Sequence, residues 1–134
     1  MWQHFEIIGS GLHLPQSKLT APDVDARAGL PTGWTAAHTG VLERYECVAP
    51  ETLATMATSA IEQAMRESAT AWSDVDLILD GSTCRHQPIP CNAAVIQQHI
   101  GRDAAGIACM DVQSTCLVFI VALQVVNALF GTGA

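Results

Sequence analysis

Residues 107–130 read IACMDVQSTCLVFIVALQVVNALF. The segment Ile107–Val112 is a short, nearly continuous apolar run, which is typical of a strand buried on both faces. Residues 117–130 form a second apolar run, interrupted by Gln124 and Asn127 and shorter than the about 20 residues of a membrane-spanning helix. The stretch therefore predicts a buried strand, a turn, and a buried core helix from Cys116 to Phe130 that is closed by Gly131.

The rest of the chain alternates strand and helix signals around this stretch. The apolar centre of Val75–Asp80 predicts a second strand buried on both faces. Apolar side chains recur at helical spacing from Leu53 to Met65, which predicts an amphipathic helix of about four turns. The other expected elements are a strand at Phe5–Ile8, a short helix at Val24–Ala28, and a helix from an Asn92 cap through Ile100 to a left-handed Gly101. This alternation favours an α/β fold with parallel strands.

Composition narrows the classes of partner. The formal charge is −7, with 6 basic and 13 acidic residues, so the chain has no basic stripe to neutralise the phosphates of nucleic acid or lipid. Hydrophobic residues make up 49% and charged residues 14%, which is more apolar side chain than so small a domain usually buries. We therefore expect a protein partner surface, with neither nucleic acid nor a membrane as partner.

The N-terminus has no basic segment followed by a long apolar one, so we expect a cytoplasmic protein. The five cysteines are odd in number and include no C-x-x-C pair, which argues against a disulfide framework and against a metal site. Gly9 and Gly11 are followed by neither a third glycine nor a helix start. They therefore predict a turn rather than a dinucleotide site.

Cys116 is the candidate nucleophile. It follows a strand and begins a helix, where unpaired backbone N–H groups and the helix dipole lower a thiol pKa and can stabilise an oxyanion. The alternative is a small buried hydrophobic residue, as free cysteines often are.

Five elements along the chain together resemble the N-terminal part of a β-ketoacyl-acyl-carrier-protein synthase of type III. In order they are Gly9-x-Gly11-x-x-Leu14-Pro15, Trp34-x-x-x-His38-Thr39-Gly40-Val41-x-Glu43-Arg44, the helix opening at Thr52–Met56, Pro90 in a loop, and Asp111–Cys116. The resemblance covers essentially the whole chain, with the elements in register.

The resemblance implies a thiolase-like fold, of which residues 1–134 would be an incomplete N-terminal half. That half is layered α/β/α, with mostly parallel strands and the nucleophile helix buried in the central layer. The second half of the family fold, with the histidine and asparagine that drive decarboxylation, would be absent from these residues.

The resemblance also implies the site and its substrates. Cys116 would take an acyl group from an acyl-CoA, and the acyl-enzyme would condense with malonyl-acyl-carrier protein in fatty acid or related biosynthesis, with no permanently bound cofactor. Trp34 and His38 would contact CoA, and Thr83 and Ile89 would lie at the acyl pocket and dimer contact. Acyl carrier protein, and either a second copy or a complementary chain, are the implied protein partners.

Three features, at four positions, depart from the family pattern. His38 replaces an arginine that helps to hold CoA, Ile89 replaces a common aromatic residue, and Leu117-Val118 replaces a small pair after the cysteine. These changes favour a divergent member with an altered starter or acceptor. The alternatives are a non-catalytic, truncated or split synthase half that assembles with a partner, and a generic α/β domain in which the cysteines and Trp34 are core residues.

Overall fold

The computed structural model describes residues 4–132, which form two compact units. The first unit joins the described residues up to Leu12 to those from Leu53 onward, and the second unit is His13–Thr52. The first unit carries Cys116, whereas the second carries Trp34 and His38.

The second unit contains two short strands and two short helices. They are β1 (Ser17–Thr20), α1 (Ala21–Ala28), α2 (Trp34–Thr39) and β2 (Glu43–Glu46), and β1 pairs with β2 antiparallel. The sequence predicted a helix only from Val24, but α1 begins at Ala21 because Thr20 and Asp23 form a reciprocal capping box.

The first unit contains the strand–helix–strand arrangement that the sequence predicted. Its elements are α3 (Leu53–Ser68), β3 (Leu77–Asp80), α4 (Asn92–Ile100), β4 (Ala108–Asp111) and α5 (Val118–Thr132). Strands β3 and β4 are parallel, with Leu77 opposite Ala108 and Asp80 opposite Asp111. The expected parallel pairing is thus confirmed for these two strands, each shorter than predicted.

The two faces of β3 are covered by different helices. Ile78 is buried together with Ala93 of α4. The intervening Leu77 and Leu79 line a groove of about 320 Å³ with Val126 and Leu129 of α5. Since successive strand residues point to opposite faces, the first unit has the expected α/β/α layering.

The prediction that α5 is buried is wrong for the described part of the chain. None of its residues is fully buried, and Phe119 and Ile120 are 63% and 54% exposed. A sheet of two strands is too narrow to cover more than one side of this helix. Thr115–Thr132 is long and apolar enough to span a membrane by length and composition alone, a test that core helices of soluble proteins also pass.

The N-terminal predictions are also corrected. Residues 5–8 form no strand. The ring of Phe5 instead lies near that of Phe130, with 6.5 Å between the two ring centroids. Gly9 and Gly11 have no left-handed backbone; they lie directly against α3, where a Cβ on either would overlap the carbonyl oxygen of Ala64 or Ala60. Close approach to a helix, rather than a turn, is therefore the reason for glycine at these positions.

Both predicted ends of α4 differ from the structure. Cys91 occupies the cap position, and Asn92 is the first helical residue. Gly101 has a positive φ of 90°, but its ψ of −139° lies outside the left-handed helical region.

We expect Gly11→Ala to lower the free energy of unfolding by about 1–3 kcal/mol, because the added methyl group forces the N-terminal segment away from α3. Urea unfolding followed by circular dichroism measures the change. Gly81→Ala is the matched control, since its methyl would lie 3.5 Å from Val118 Cγ2, an ordinary contact. Equal stability of the two variants would contradict the close packing.

Candidate functional site

Cys116 lies in a tight turn between β4 and α5. The 3₁₀ turn Thr115–Leu117 follows the strand, and the Leu117 N–H donates to the Ser114 carbonyl at 3.0 Å. Thr115 has a φ of +45°, a conformation that a β-branched residue rarely adopts. Such backbone conformations cluster at functional sites, where the surrounding structure holds them in place.

The Cys116 side chain is exposed, and the residue lies two positions before Val118, the first residue of α5. The first amides of a helix have no acceptor within the helix and carry the positive end of its dipole. A thiol in this position is accessible to a substrate carbonyl, and nearby amides can stabilise the oxyanion formed on attack. The turn can therefore support acyl transfer to sulfur.

Thr83 and Ile89 lie on the loop of residues 81–91, which joins β3 to α4 and is called the β3–α4 loop below. Both are exposed, Ile89 at 86%. The loop leaves the carboxyl end of β3, and Cys116 follows the carboxyl end of β4. Because β3 and β4 are parallel neighbours, the structure brings Thr83, Ile89 and Cys116 to the same edge of the sheet.

A polar network at this edge fixes the loop. The Asn92 side chain is completely buried and donates through Nδ2 to Asp80 Oδ2 at 3.0 Å and to the Cys84 carbonyl at 3.1 Å. Its Oδ1 accepts the His86 N–H at 2.9 Å.

The same network caps α4. The Asp111 carboxylate accepts the backbone N–H groups of Asn92 at 2.7 Å and of Ala93 at 2.9 Å. The predicted Asn92 cap is wrong because this carboxylate, supplied by β4, already satisfies the first amides of the helix.

Trp34 and His38 lie one helical turn apart on α2 and form a stacked pair. Their ring centroids are 4.1 Å apart at an interplanar angle of 14°, and His38 Nδ1 lies 2.8 Å from the Trp34 carbonyl oxygen. Trp34 is 39% exposed. One face of the indole is thus covered by imidazole, and a flat aromatic surface remains at this end of the second unit.

Asp25 holds the start of α2. Its buried carboxylate accepts the Gly33 N–H at 2.7 Å, the Thr35 N–H at 2.9 Å and the Thr35 hydroxyl. The Thr35 hydroxyl, followed by the backbone N–H donors, holds the pKa of this carboxyl below its usual value despite burial. Trp34 lies between these two anchored residues, so Asp25 fixes the backbone of the stacked pair.

Proteins of known function are similar to this chain over nearly its whole length. It is 31% identical over 133 residues to Beta-ketoacyl-[acyl-carrier-protein] synthase III of Methylococcus capsulatus. This match covers 99% of this chain and 41% of that protein. It is 30% identical over 128 residues to the same-named protein of Aquifex aeolicus, covering 96% of this chain and 40% of that protein. No protein-family model matches.

Solved structures of synthase III proteins are also similar to this chain. The crystal structure of 3-oxoacyl-[acyl-carrier-protein] synthase III from Aquifex aeolicus superposes with a TM-score of 0.85 at 30% identity, over 95% of this chain and 40% of that one. Over nearly its whole length the chain is similar to part of a β-ketoacyl-acyl-carrier-protein synthase III. Its fold is the thiolase-like α/β fold, also partial. Xanthomonas campestris OleA, 20% identical with a TM-score of 0.82, shares the fold.

The predicted resemblance to synthase III and the predicted fold class are therefore confirmed, and the chain spans about 40% of the length of the curated synthase III relatives that it matches. Sequence reasoning missed Asn92 as the residue that holds the β3–α4 loop in the first unit, and Asp25 as the residue that holds the start of α2 in the second unit. The signal for the first was an acidic residue at or next to the end of each of two predicted parallel strands, which the observed register places side by side as Asp80 and Asp111. Nothing local marked Asp25, because its partners lie up to ten residues further along the chain.

Two of the other four cysteines are exposed, as Cys116 is, and two are not. Cys47 and Cys84 are exposed, whereas Cys91 and Cys109 are partly buried. Burial raises the pKa of the Cys109 thiol, and Cys91 and Asp111 raise it by smaller amounts. A raised pKa leaves less thiolate, so Cys109 is a poorer nucleophile than an ordinary exposed thiol. Among residues 4–132, no three metal-binding side chains cluster in a way that could hold a metal ion.

We expect Asp111→Ala to lower the free energy of unfolding by about 1–2 kcal/mol, because two amides at the start of α4 lose their acceptor. Equilibrium unfolding in urea measures it. Glu62→Ala is the control, because this exposed residue makes only a 3.9 Å ion pair with Arg66. A loss in Asp111→Ala no greater than in the control would contradict the capping role.

The pH dependence of stability should report the Asp25 interactions. Because its folded-state pKa is lowered, Asp25 stabilises the fold above its unfolded pKa of about 3.9, and this stability is lost as pH falls through the lower, folded-state value. Thermal unfolding between pH 6 and pH 2 should therefore show a smaller loss for Asp25→Asn than for the unsubstituted chain. Asp76→Asn, at an exposed position, should follow the unsubstituted chain. Identical profiles for all three proteins would contradict this role.

Proposed function

We propose that this chain is the acyl-accepting portion of a synthase III type condensing enzyme, with Cys116 as its nucleophile. The observation that carries the proposal is the exposed cysteine in a strained turn between β4 and the start of α5, within a chain 31% identical to a synthase III over 133 residues.

In the first step, the Cys116 thiolate attacks the thioester carbonyl carbon of an acyl-CoA and forms a new carbon–sulfur bond. The tetrahedral intermediate collapses and breaks the bond to the CoA sulfur, which leaves as a thiolate and takes up the proton that the cysteine lost. The amides at the start of α5 would stabilise the oxyanion. The acyl group is then held on Cys116.

In the second step, a malonyl thioester on acyl carrier protein loses carbon dioxide, and the electron pair of the broken bond attacks the acyl-cysteine. The new carbon–carbon bond gives a β-ketoacyl thioester and releases the Cys116 thiolate. We assign decarboxylation to the whole protein, because the histidine and asparagine that the resemblance implies for it match no residue of this chain. The cytoplasm is the expected location of this reaction.

The remaining site residues fit the same proposal. The exposed face of Trp34 would stack on the adenine of CoA. His38 stacks on the indole and reaches the Trp34 carbonyl, so in place of the family arginine it would support the tryptophan rather than grip a phosphate in bidentate fashion. Thr83 and Ile89 would border the acyl chain from the β3–α4 loop.

A second candidate is a non-catalytic synthase half that assembles with a complementary chain or a second copy. The exposed apolar side chains of α5 favour it, since so much apolar surface is rare on a protein that works alone. Sedimentation of the purified chain distinguishes the two states: a stable, monodisperse monomer that binds no hydrophobic dye would contradict this candidate.

Incubation with acetyl-CoA or hexanoyl-CoA, followed by intact-mass spectrometry, tests the enzymatic proposal. We expect one acyl adduct per chain, mapped to Cys116 and absent from Cys116→Ala. Cys84→Ala is the matched control, because Cys84 is equally an exposed free thiol and its removal should leave the adduct in place. Absence of an adduct, or equal labelling of several cysteines, would contradict acyl transfer to Cys116.

A further inference from the structure

We infer that Asn92 is a positioning residue that fixes the β3–α4 loop and thereby sets which acyl groups Cys116 accepts. The inference rests on the proposed function for its acyl-CoA substrates. Its structural part, the fixing of the loop by one buried amide, stands on contacts of the first unit alone.

The β3–α4 loop has little apolar burial to hold it. Residues 83–86 and 88–90 are all exposed. Ser82 is tied back to Asp80, with its N–H and hydroxyl donating to the carboxylate at 3.2 and 2.6 Å. Beyond Ser82, the main-chain position of the loop depends on the Asn92 amide, which reaches the Cys84 carbonyl and the His86 N–H.

The hydrogen bonds at position 92 require an asparagine. The side chain must donate to a carboxylate and to a carbonyl while accepting from a backbone N–H, and a carboxamide does all of this from one buried position. An aspartate there would place a carboxylate against Asp80 and leave the Cys84 carbonyl without its donor. An alanine would leave buried polar groups unpaired, which is costly.

Asn92 also links the loop to β4, the strand that precedes Cys116. Its backbone N–H is bound by Asp111, the last residue of β4, and its side chain is bound by Asp80, the last residue of β3. These two aspartates are register partners on the parallel strands. A shift of Asn92 would therefore change the loop position relative to the segment that leads to Cys116.

The consequence concerns selectivity rather than reactivity. A side chain as exposed as that of Ile89 can limit the length of an acyl group only if its backbone is held in one place. Releasing the loop should let bulkier acyl groups reach Cys116 and should leave the thiol itself unchanged. One methylene in a defined pocket changes selectivity by about 10- to 200-fold, so a loosened pocket should lose much of that discrimination.

The experiment compares rates of Cys116 acylation by acetyl-CoA and by octanoyl-CoA in the unsubstituted chain, Asn92→Ala and Asn92→Asp. We expect the ratio of the two rates to move at least about fivefold toward unity in both variants. Alkylation of Cys116 by iodoacetamide should keep its rate, which separates loop positioning from a general loss of structure. Gln98→Ala, at an exposed position of the same helix, should keep the original ratio.

Two further measurements complete the test. The double variant Asp80→Asn/Asn92→Asp restores a donor–acceptor pair between these side chains and should recover part of the lost selectivity. The exposed Cys84 thiol is a natural reporter of the loop, and its modification by a thiol reagent should accelerate in Asn92→Ala.

The outcomes separate this inference from the proposed function. An unchanged acylation ratio, or an unchanged rate of Cys84 modification, in both Asn92 variants would overturn the positioning role. If no protein is acylated while Cys84 becomes more reactive in Asn92→Ala, the proposed function and the selectivity claim fail together, and the role of Asn92 in fixing the loop remains.

Discussion

The Asp111 carboxylate at the N-terminus of α4 is the interaction on which the first unit depends. It joins the end of β4 to the beginning of α4, the helix that packs on both strands, so the start of the helix is held at the edge where the paired strands end. The carboxylate is negative where the helix dipole is positive, and it satisfies two amides that would otherwise lack acceptors. The turn that carries Cys116 begins immediately after it.

A buried aspartate has the corresponding role in the second unit. Asp25 gathers the turn before α2 through backbone and hydroxyl donors. Both units therefore place their candidate functional side chains next to a carboxylate that is bound by backbone N–H groups. Such a carboxylate fixes the backbone more firmly than apolar contacts do, because each hydrogen bond has a direction and a charged acceptor strengthens it.

Helix α5 shows the limit of inference from an apolar pattern. Its sequence is more apolar than that of any other helix in the described chain, and a buried position was the natural expectation. The strands described here cover only the side that faces Leu77 and Leu79. An apolar sequence indicates that a helix is more stable when it is covered. Whether the helix is buried depends on how many neighbouring elements pack against it.

The sequence by itself determined the α/β class, the parallel pairing of β3 and β4, the position of Cys116 between a strand and a helix, and the synthase III resemblance. These follow from short-range periodicity and residue spacing, which can be read from the sequence alone. Only the tertiary structure decided that Asp111 rather than Asn92 caps α4 and that Asn92 holds the β3–α4 loop. It also decided that Gly9 and Gly11 are glycines because they pack directly against α3. Each of these depends on residues that are distant in sequence, and the hydrogen bond or close contact between them exists only once the chain has folded.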